Sequence, residues 1–420
     1  MGSLSGILPN DLVEEILLKL PVPCILGLKS VSRSWDELLS SPNFARTHSL
    51  YPHSLSQPCA IFLPFSHHEK SPIFTISLKR DNIMQLHNLS HNESCSSWML
   101  RKPDMRVGCS NGILCTLTGR GLFTIVNPAT GQSTCLPAVP GSWAFYFGFY
   151  FDPQHRSFRV FTVVSNVFAW KPIPKYQLFD SATGQWRCLE SMPKKSLIFG
   201  RKNLVSIGHT CYTYDTMDCR LIGFDMVREA VEVVRAPSEL QTGLELSVWV
   251  DHVAVLDWNG HVSLVAVGPD LKLIVWFLVI AEKKWVEMIN IDLCELGYER
   301  DSESGQNKSN RRPSPVLVCG GHIFLIYGEN SEKIMSYGFS SGRLHAFLPS
   351  NRLGSGDYLP YKTTLSSWDI YGGEKEIGKC SKKRGLPRPS LPPRKRRPQN
   401  SLQCKSLPCQ QHGLGVPKTS

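Results

Sequence analysis

The chain has 420 residues, 42% of them hydrophobic and 19% charged, with 14 cysteines and a formal net charge of +11. This composition suits a soluble globular protein with room for two or three domains, and its longest apolar run, nine residues at 273–281, is too short for a bilayer-spanning helix of ~20 residues. The charge does not mark a nucleic-acid-binding fold: residues 374–420 carry twelve Lys or Arg against two Glu, while the rest is nearly neutral with 34 basic and 33 acidic groups.

The first residues show neither the basic region nor the apolar core of a signal peptide, and Gly6 stands where a myristoylation motif needs Ser or Thr. Residues 8–44 predict three short helices. Pro9 sets a turn, Asp11 and Glu14 have capping-box spacing, and Pro21 ends the first helix. On a helical wheel Leu12, Val13, Ile16, Leu17 and Leu20 span an arc of about 140°. Leu18 falls outside it, so the helix is apolar on two sides. A second helix fits residues 24–32 and a third 34–39, which Pro42 stops. So short a segment hides too little surface to fold well alone, and its second apolar face points to a partner protein.

Leu8, Pro9, Asp11, Leu12, Ile16, Leu17, Leu20, Pro21, Leu26, Val31, Arg33, Trp35, Leu38, Leu39 and Phe44 together resemble the F-box motif. One departure is Pro23-Cys24, where relatives often carry a basic residue and a serine. The resemblance implies docking onto a Skp-type adaptor and, through it, a cullin. The contacting residues it implies are Leu8, Pro9, Leu12, Ile16, Leu17, Pro21, Val31 and Trp35. The alternative is a three-helix cap on the next domain.

Residues 47–58, polar with two prolines, predict a linker. From 59 to 371 one unit recurs: an apolar strand, a turn of four or five polar residues, and a second strand. The copies fall at 74–89, 123–136, 176–189, 221–234, 273–289 and 334–348. A period near 50 with short strands and Gly or Asp turns signals a kelch-type propeller of about six blades. A pair of β-sandwiches is the alternative. Ser110-Asn-Gly-Ile-Leu-Cys115, Asn127-Pro-Ala-Thr-Gly131, Leu136-Pro137, Gly148-Phe-Tyr-Phe-Asp152-Pro153 and Phe224-Asp225 with Glu229 resemble the F-box-associated, kelch-like region of plant F-box proteins. The expected chain is therefore an α+β multidomain protein: F-box at 1–46, linker at 47–58, all-β propeller at 59–371 and a disordered basic tail at 372–420.

No catalytic set emerges. Gly338-Phe-Ser-Ser-Gly342 matches GxSxG, but the next residues read as a strand where the nucleophile elbow needs a helix. His87 and His91 lie four apart without a helix, and a loop is expected rather than a metal site. Gly119-Arg-Gly121 lacks a third glycine. No CxxC pair occurs, and Cys404, Cys409 and His412 do not match zinc spacing. The cysteines read as reduced thiols of a cytosolic or nuclear protein. No metal or cofactor is expected.

Aromatics give another lead. Trp143, Phe145, Tyr146, Phe147, Phe149, Tyr150 and Phe151 cluster in nine residues and read mostly as core strand. Trp143 beside Pro140-Gly141, Trp170 between prolines and Trp258 before Asn259-Gly260 are candidate substrate anchors on loops; packing within each blade is the alternative. Residues 299–315 read as a long polar loop, with Arg311-Arg-Pro-Ser314 resembling a basophilic kinase site. In the tail, Lys382, Lys383 and Arg384 with Arg394, Lys395, Arg396 and Arg397 resemble a bipartite nuclear-import signal; a solvated charged tail is the alternative. The expectation is a non-catalytic receptor subunit of a Skp–cullin–F-box ubiquitin ligase, in nucleus and cytoplasm, holding an unknown protein substrate. No membrane and no specific nucleic acid enter. The rivals are a nuclear scaffold that binds a transcription factor without degrading it, and a propeller enzyme.

Overall fold

A computed structural model of the protein describes residues 9–51, 60–64, 71–72, 74–78, 84–88, 100–101, 105–118, 121–140, 143–165, 174–190, 204–241, 252–298, 312–327, 333–347 and 356–370. The basic tail, and with it the import-like residues 382–384 and 394–397, lies outside them.

Four helices open the chain: α1 (Asn10–Leu18), α2 (Val22–Leu28), α3 (Arg33–Leu39) and α4 (Pro42–Leu50). The expected capping box is not formed. Pro9 is the N-cap of α1 and no side chain caps it. Ser32 and Ser41 do cap, accepting from Trp35 N and Phe44 N at 3.2 and 3.1 Å, which satisfies amides that a helix start leaves open. The fourth helix is an addition to the three expected. Pro42 ends α3 and also opens α4, because its missing N–H and fixed φ cost nothing in a first turn. Residues 47–50 of the expected linker are thus helical. Leu17, Val22, Ile25, Leu39 and Phe44 form the core of this bundle. The buried His48 ring bonds Leu20 O at 2.9 Å and ties α4 to the turn after α1.

Six four-stranded antiparallel sheets follow as the blades of a propeller. Blade 1 pairs, innermost first, Gly356–Pro360, Ala60–Pro64, Phe74–Leu78 and Met84–Asn88. Blade 2 is Arg106–Ser110, Ile113–Leu117, Phe123–Val126 and Ser133–Cys135. Blade 3 is Trp143–Asp152, Ser157–Ser165, Lys175–Asp180 and Gln185–Cys188; blade 4 is Val205–Ile207, Thr210–Asp215, Arg220–Asp225 and Ala230–Arg235. Blade 5 is Val253–Trp258, His261–Val267, Lys272–Val279 and Lys284–Asp292; blade 6 is Ser314–Cys319, His322–Tyr327, Lys333–Gly338 and Arg343–Phe347. Each sequence-predicted hairpin is the third and outermost strand of one blade. The innermost strands touch their neighbours around the whole ring. Closure is made by the last strand, with Ala60 opposite Pro360 and Pro64 opposite Gly356, which removes the open edges of an unclosed sheet.

Each blade is buried on both faces. Phe158 and Val160 pack toward blade 2, whereas Phe161 and Val163, one step along the same strand, pack toward blade 4. Leu264 and Val265 divide blade 5 in the same way. Full burial of one such side chain contributes roughly 1.5–3 kcal/mol, so neighbouring blades are held mainly by these shared layers. The aromatic run obeys the alternation: Phe147, Phe149 and Phe151 face blade 2, and Tyr146 and Tyr150 face blade 4.

The two ends of the barrel differ. At one end the turns join innermost to second strands and third to outermost strands, and they run from two to six residues. Asn111-Gly112 and Asn259-Gly260 are such turns, with φ of 50° and 80°, and 52° and 87°, the all-positive pair of a type I′ hairpin. At the other end the passages between blades run from seven to 21 residues.

Candidate functional site

The F-box-like bundle displays apolar groups that its own core does not use. Leu12 is 47% exposed, Ile16 51% and Val31 63%. Leu12 and Ile16 lie four apart and so share one stripe of α1; Val31 sits in the turn between α2 and α3. Pro9 is exposed, Pro21 and Trp35 are half-buried, and Leu8 lies outside the described residues. Leu17 departs from the expectation. It is 2% exposed and belongs to the bundle core beside Leu18, so it shapes the outer stripe only from beneath. On the wheel the core direction falls between Leu17 and Leu18, and Leu12 and Ile16 then point the opposite way.

The bundle sits at the short-turn end of the propeller. Ala129, from the blade 2 turn, and Leu365, from the segment after ring closure, pack against its core. Lys362 Nζ donates to Ser49 O at 3.5 Å, and burial lowers the ammonium pKa from the usual lysine value. Arg46, Thr47, Leu50 and Tyr51 face Gln154 and His155 of blade 3 across a cleft of about 680 Å³. The long passages between blades therefore start and finish at strand ends on the far side from the bundle.

The propeller candidates divide. Trp258 stands at the short-turn end and is packed, with ring centroids 5.0 Å from Phe277 and 4.3 Å from Phe339, between blades 5 and 6. That is the within-fold alternative, not a loop anchor. Trp143 is the first residue of the blade 3 inner strand, paired with Ser165 at the long-passage end, and not at a loop tip. Trp170 lies outside the described residues.

Other motifs resolve on the same ladder. Residues 339–342 turn directly from strand to strand, so GxSxG is a hairpin. His87 is in the outermost strand of blade 1, opposite Thr75, rather than in a loop, and His91 is outside the description. Ser314 is not in a polar loop. It opens the blade 6 inner strand, opposite Ile326, and its Oγ lies 3.2 Å from His252 Nδ1. Burial pushes the Cys109 and Cys211 thiols up to about 12, which leaves them protonated and unreactive at neutral pH. Among the described residues no three His, Cys, Asp or Glu side chains stand close enough to hold a metal ion, and no helix is long and apolar enough to cross a membrane.

Sequence reasoning missed the segment 361–370 and its anchor Asn127. The available signal was the apolar pair Leu365 and Trp368 in a stretch with no strand pattern.

A family model described as F-box domain matches residues 7–47, and one described as F-box associated beta propeller domain matches residues 60–302. Among curated proteins, an F-box/LRR-repeat protein of Arabidopsis thaliana is 24% identical over 358 residues, covering 79% of this chain and 76% of its own. A putative F-box/kelch-repeat protein of the same plant is 22% identical over 377 residues, covering 79% and 83%. Among solved structures, a chain of the nidogen/laminin complex aligns at 11% identity with a TM-score of 0.43, over 73% of this chain and 99% of that one.

Proposed function

The chain belongs to the F-box-associated β-propeller family, and from that premise we propose that it is the substrate-receptor subunit of a Skp–cullin–F-box ubiquitin ligase. The bundle binds the adaptor through Leu12, Ile16 and Val31. The propeller holds a target protein at the long-passage end, away from the bundle. Tethering raises the local concentration of target near the ubiquitin-loaded enzyme to roughly the mM range, and this chain performs no bond chemistry itself. The observation that carries the reading is the unpartnered apolar stripe on α1, in a bundle whose core is filled by Leu17, Val22, Ile25, Leu39 and Phe44 together with Leu365.

Leu12→Ala combined with Ile16→Ala is expected to weaken adaptor binding by about 30-fold, the equivalent of roughly 2 kcal/mol. The bundle should keep its helicity, since neither side chain is in its core. Unchanged titration of the double variant with a Skp-type adaptor would sink the receptor reading.

The basic tail supports a second proposal, that it directs the chain to the nucleus. Alanine at Lys382, Lys383, Arg384, Arg394, Lys395, Arg396 and Arg397 should shift a fluorescent fusion toward the cytosol and leave adaptor binding intact. Unaltered nuclear fluorescence refutes it. Co-purification of a cullin, with target accumulation under proteasome inhibition, separates the ligase from a non-degradative nuclear scaffold.

A further inference from the structure

The ring is complete at Pro360, yet residues 361–370 continue across the short-turn end and touch both parts of the molecule. Toward the propeller, the buried Asn127 amide donates to Thr364 O at 3.0 Å and to Ser366 O at 2.8 Å. Its Oδ1 accepts from Ala129 N at 2.9 Å, which fixes the amide's orientation. Trp368 is buried in the layer between blades 2 and 3 and donates to Thr134 Oγ1 at 3.1 Å. Arg156 adds an ion pair to Asp369 at 3.2 Å. Toward the bundle, Leu365, between the two residues that Asn127 holds, is 5% exposed among the bundle's core side chains. Lys362 Nζ meets Ser49 O in the last turn of α4, where the helix dipole favours a cation.

We propose that residues 361–370 are a splint that fixes the orientation of the F-box on the propeller, and that Leu365, Lys362 and Asn127 are positioning residues for ubiquitin transfer. This rests on the ligase reading above for its second half. The covalent route from bundle to propeller, residues 52–59, lies outside the described residues, whereas residues 361–370 hold both parts by named contacts. The splint sets the angle. Leu365 enters the bundle while its neighbours' carbonyls stay on Asn127. A target lysine must meet the ubiquitin thioester in a narrow range of positions, so an orientation held by packing converts into rate.

The test uses the full chain. Fluorophores on non-natural residues at Glu37 and Lys283, both exposed, report the distance distribution between bundle and propeller. Reconstitution with adaptor, cullin and a ubiquitin-conjugating enzyme reports, by mass spectrometry, which of the chain's own lysines are modified. The wild type should give one narrow distribution and a restricted lysine pattern. Leu365→Ala should broaden the distribution, spread modification to further lysines and slow the favoured ones by on the order of tenfold. Adaptor affinity should stay within about twofold, as for a site distant from the contact. Leu365→Met should restore both readouts. If Leu365→Ala loosens the bundle itself, seen as lost adaptor affinity, Lys362→Ala and Asn127→Asp decide the matter by the same two readouts. An unchanged distance distribution in all three variants overturns the splint. Broadening with an unchanged lysine pattern overturns the positioning role. Failure of the wild type to bind adaptor overturns the ligase reading alone, because the distance measurement still decides the splint.

Discussion

The two ends of the propeller are built by different rules. At the short-turn end, connections of two to six residues hold Asn and Gly in positive-φ turns, and the bundle and residues 361–370 are fastened over them. At the opposite end, passages of up to 21 residues separate blades whose strands are no less buried. The same six sheets thus support one end where every connection is short and one where four-residue turns, as at 216–219 and 268–271, stand beside passages of up to 21 residues. Recognition surfaces concentrate where a rigid scaffold carries long connections, so the division suits the proposed receptor, with its machinery at one end and its target at the other.

The strongest way to break this comparison is to remove what both ends share. A chain ending at residue 355 lacks Gly356–Pro360 and leaves Ala60–Pro64 without its inner partner. It is expected to lose cooperative unfolding, as measured by circular dichroism on heating. A sharp transition at the wild-type temperature would mean that the ring does not depend on closure.

A smaller effect tests the short-turn end alone. Gly112 has a φ of 80°, and a Cβ there would collide with the carbonyl oxygen of Lys362. Gly112→Ala should cost about 1–3 kcal/mol by left-handed strain and displacement of the splint. Gly260→Ala has a φ of 87° but open space around its Cβ, so only the strain, roughly 1 kcal/mol, should remain. Equal shifts in denaturant midpoint for the two would show that residues 361–370 do not press on the Gly112 turn.

The smallest effect belongs to the long-passage end. Two residues inserted between 299 and 311 lengthen an already long passage, and the closure entropy should change by well under ~0.6 kcal/mol. The same insertion after Asn259 disrupts a two-residue hairpin and should be several times more damaging. Matching losses at both positions would erase the distinction between the ends.

How much of this was legible in the sequence follows from the burial of each strand. The third and outermost strands of every blade were found because their turns carry a dense polar signal, as in Asp180-Ser-Ala-Thr-Gly184, and six such hairpins gave six blades. The second strand Ile113–Leu117 is buried at every position, so it lacks the alternation that marks a half-buried strand. Arg-Arg-Pro-Ser reads as polar and so predicts a loop at Ser314; the strand tolerates Pro315 at a register shift beside it, where proline's missing donor is harmless. On α1 the wheel found two apolar sides but not which one faces inward, since that depends on where Phe44 of the unforeseen α4 packs. Residues 361–370 have no periodic pattern at all. Their structure is set by Asn127, more than 230 residues earlier, and no local rule reaches that far.

Ring closure also has a consequence in time. Ala60 pairs with Pro360, so the first propeller strand waits for the last to be made, and Leu365, which completes the bundle core, emerges later still. At ribosomal rates of roughly 5–20 residues per second, that interval is about 15–60 s. During it the exposed stripe of α1 is already present while the ring is open. On the proposed function, the nascent chain meets its adaptor before it can hold a target, and both parts are finished by the same ten residues, 356–365.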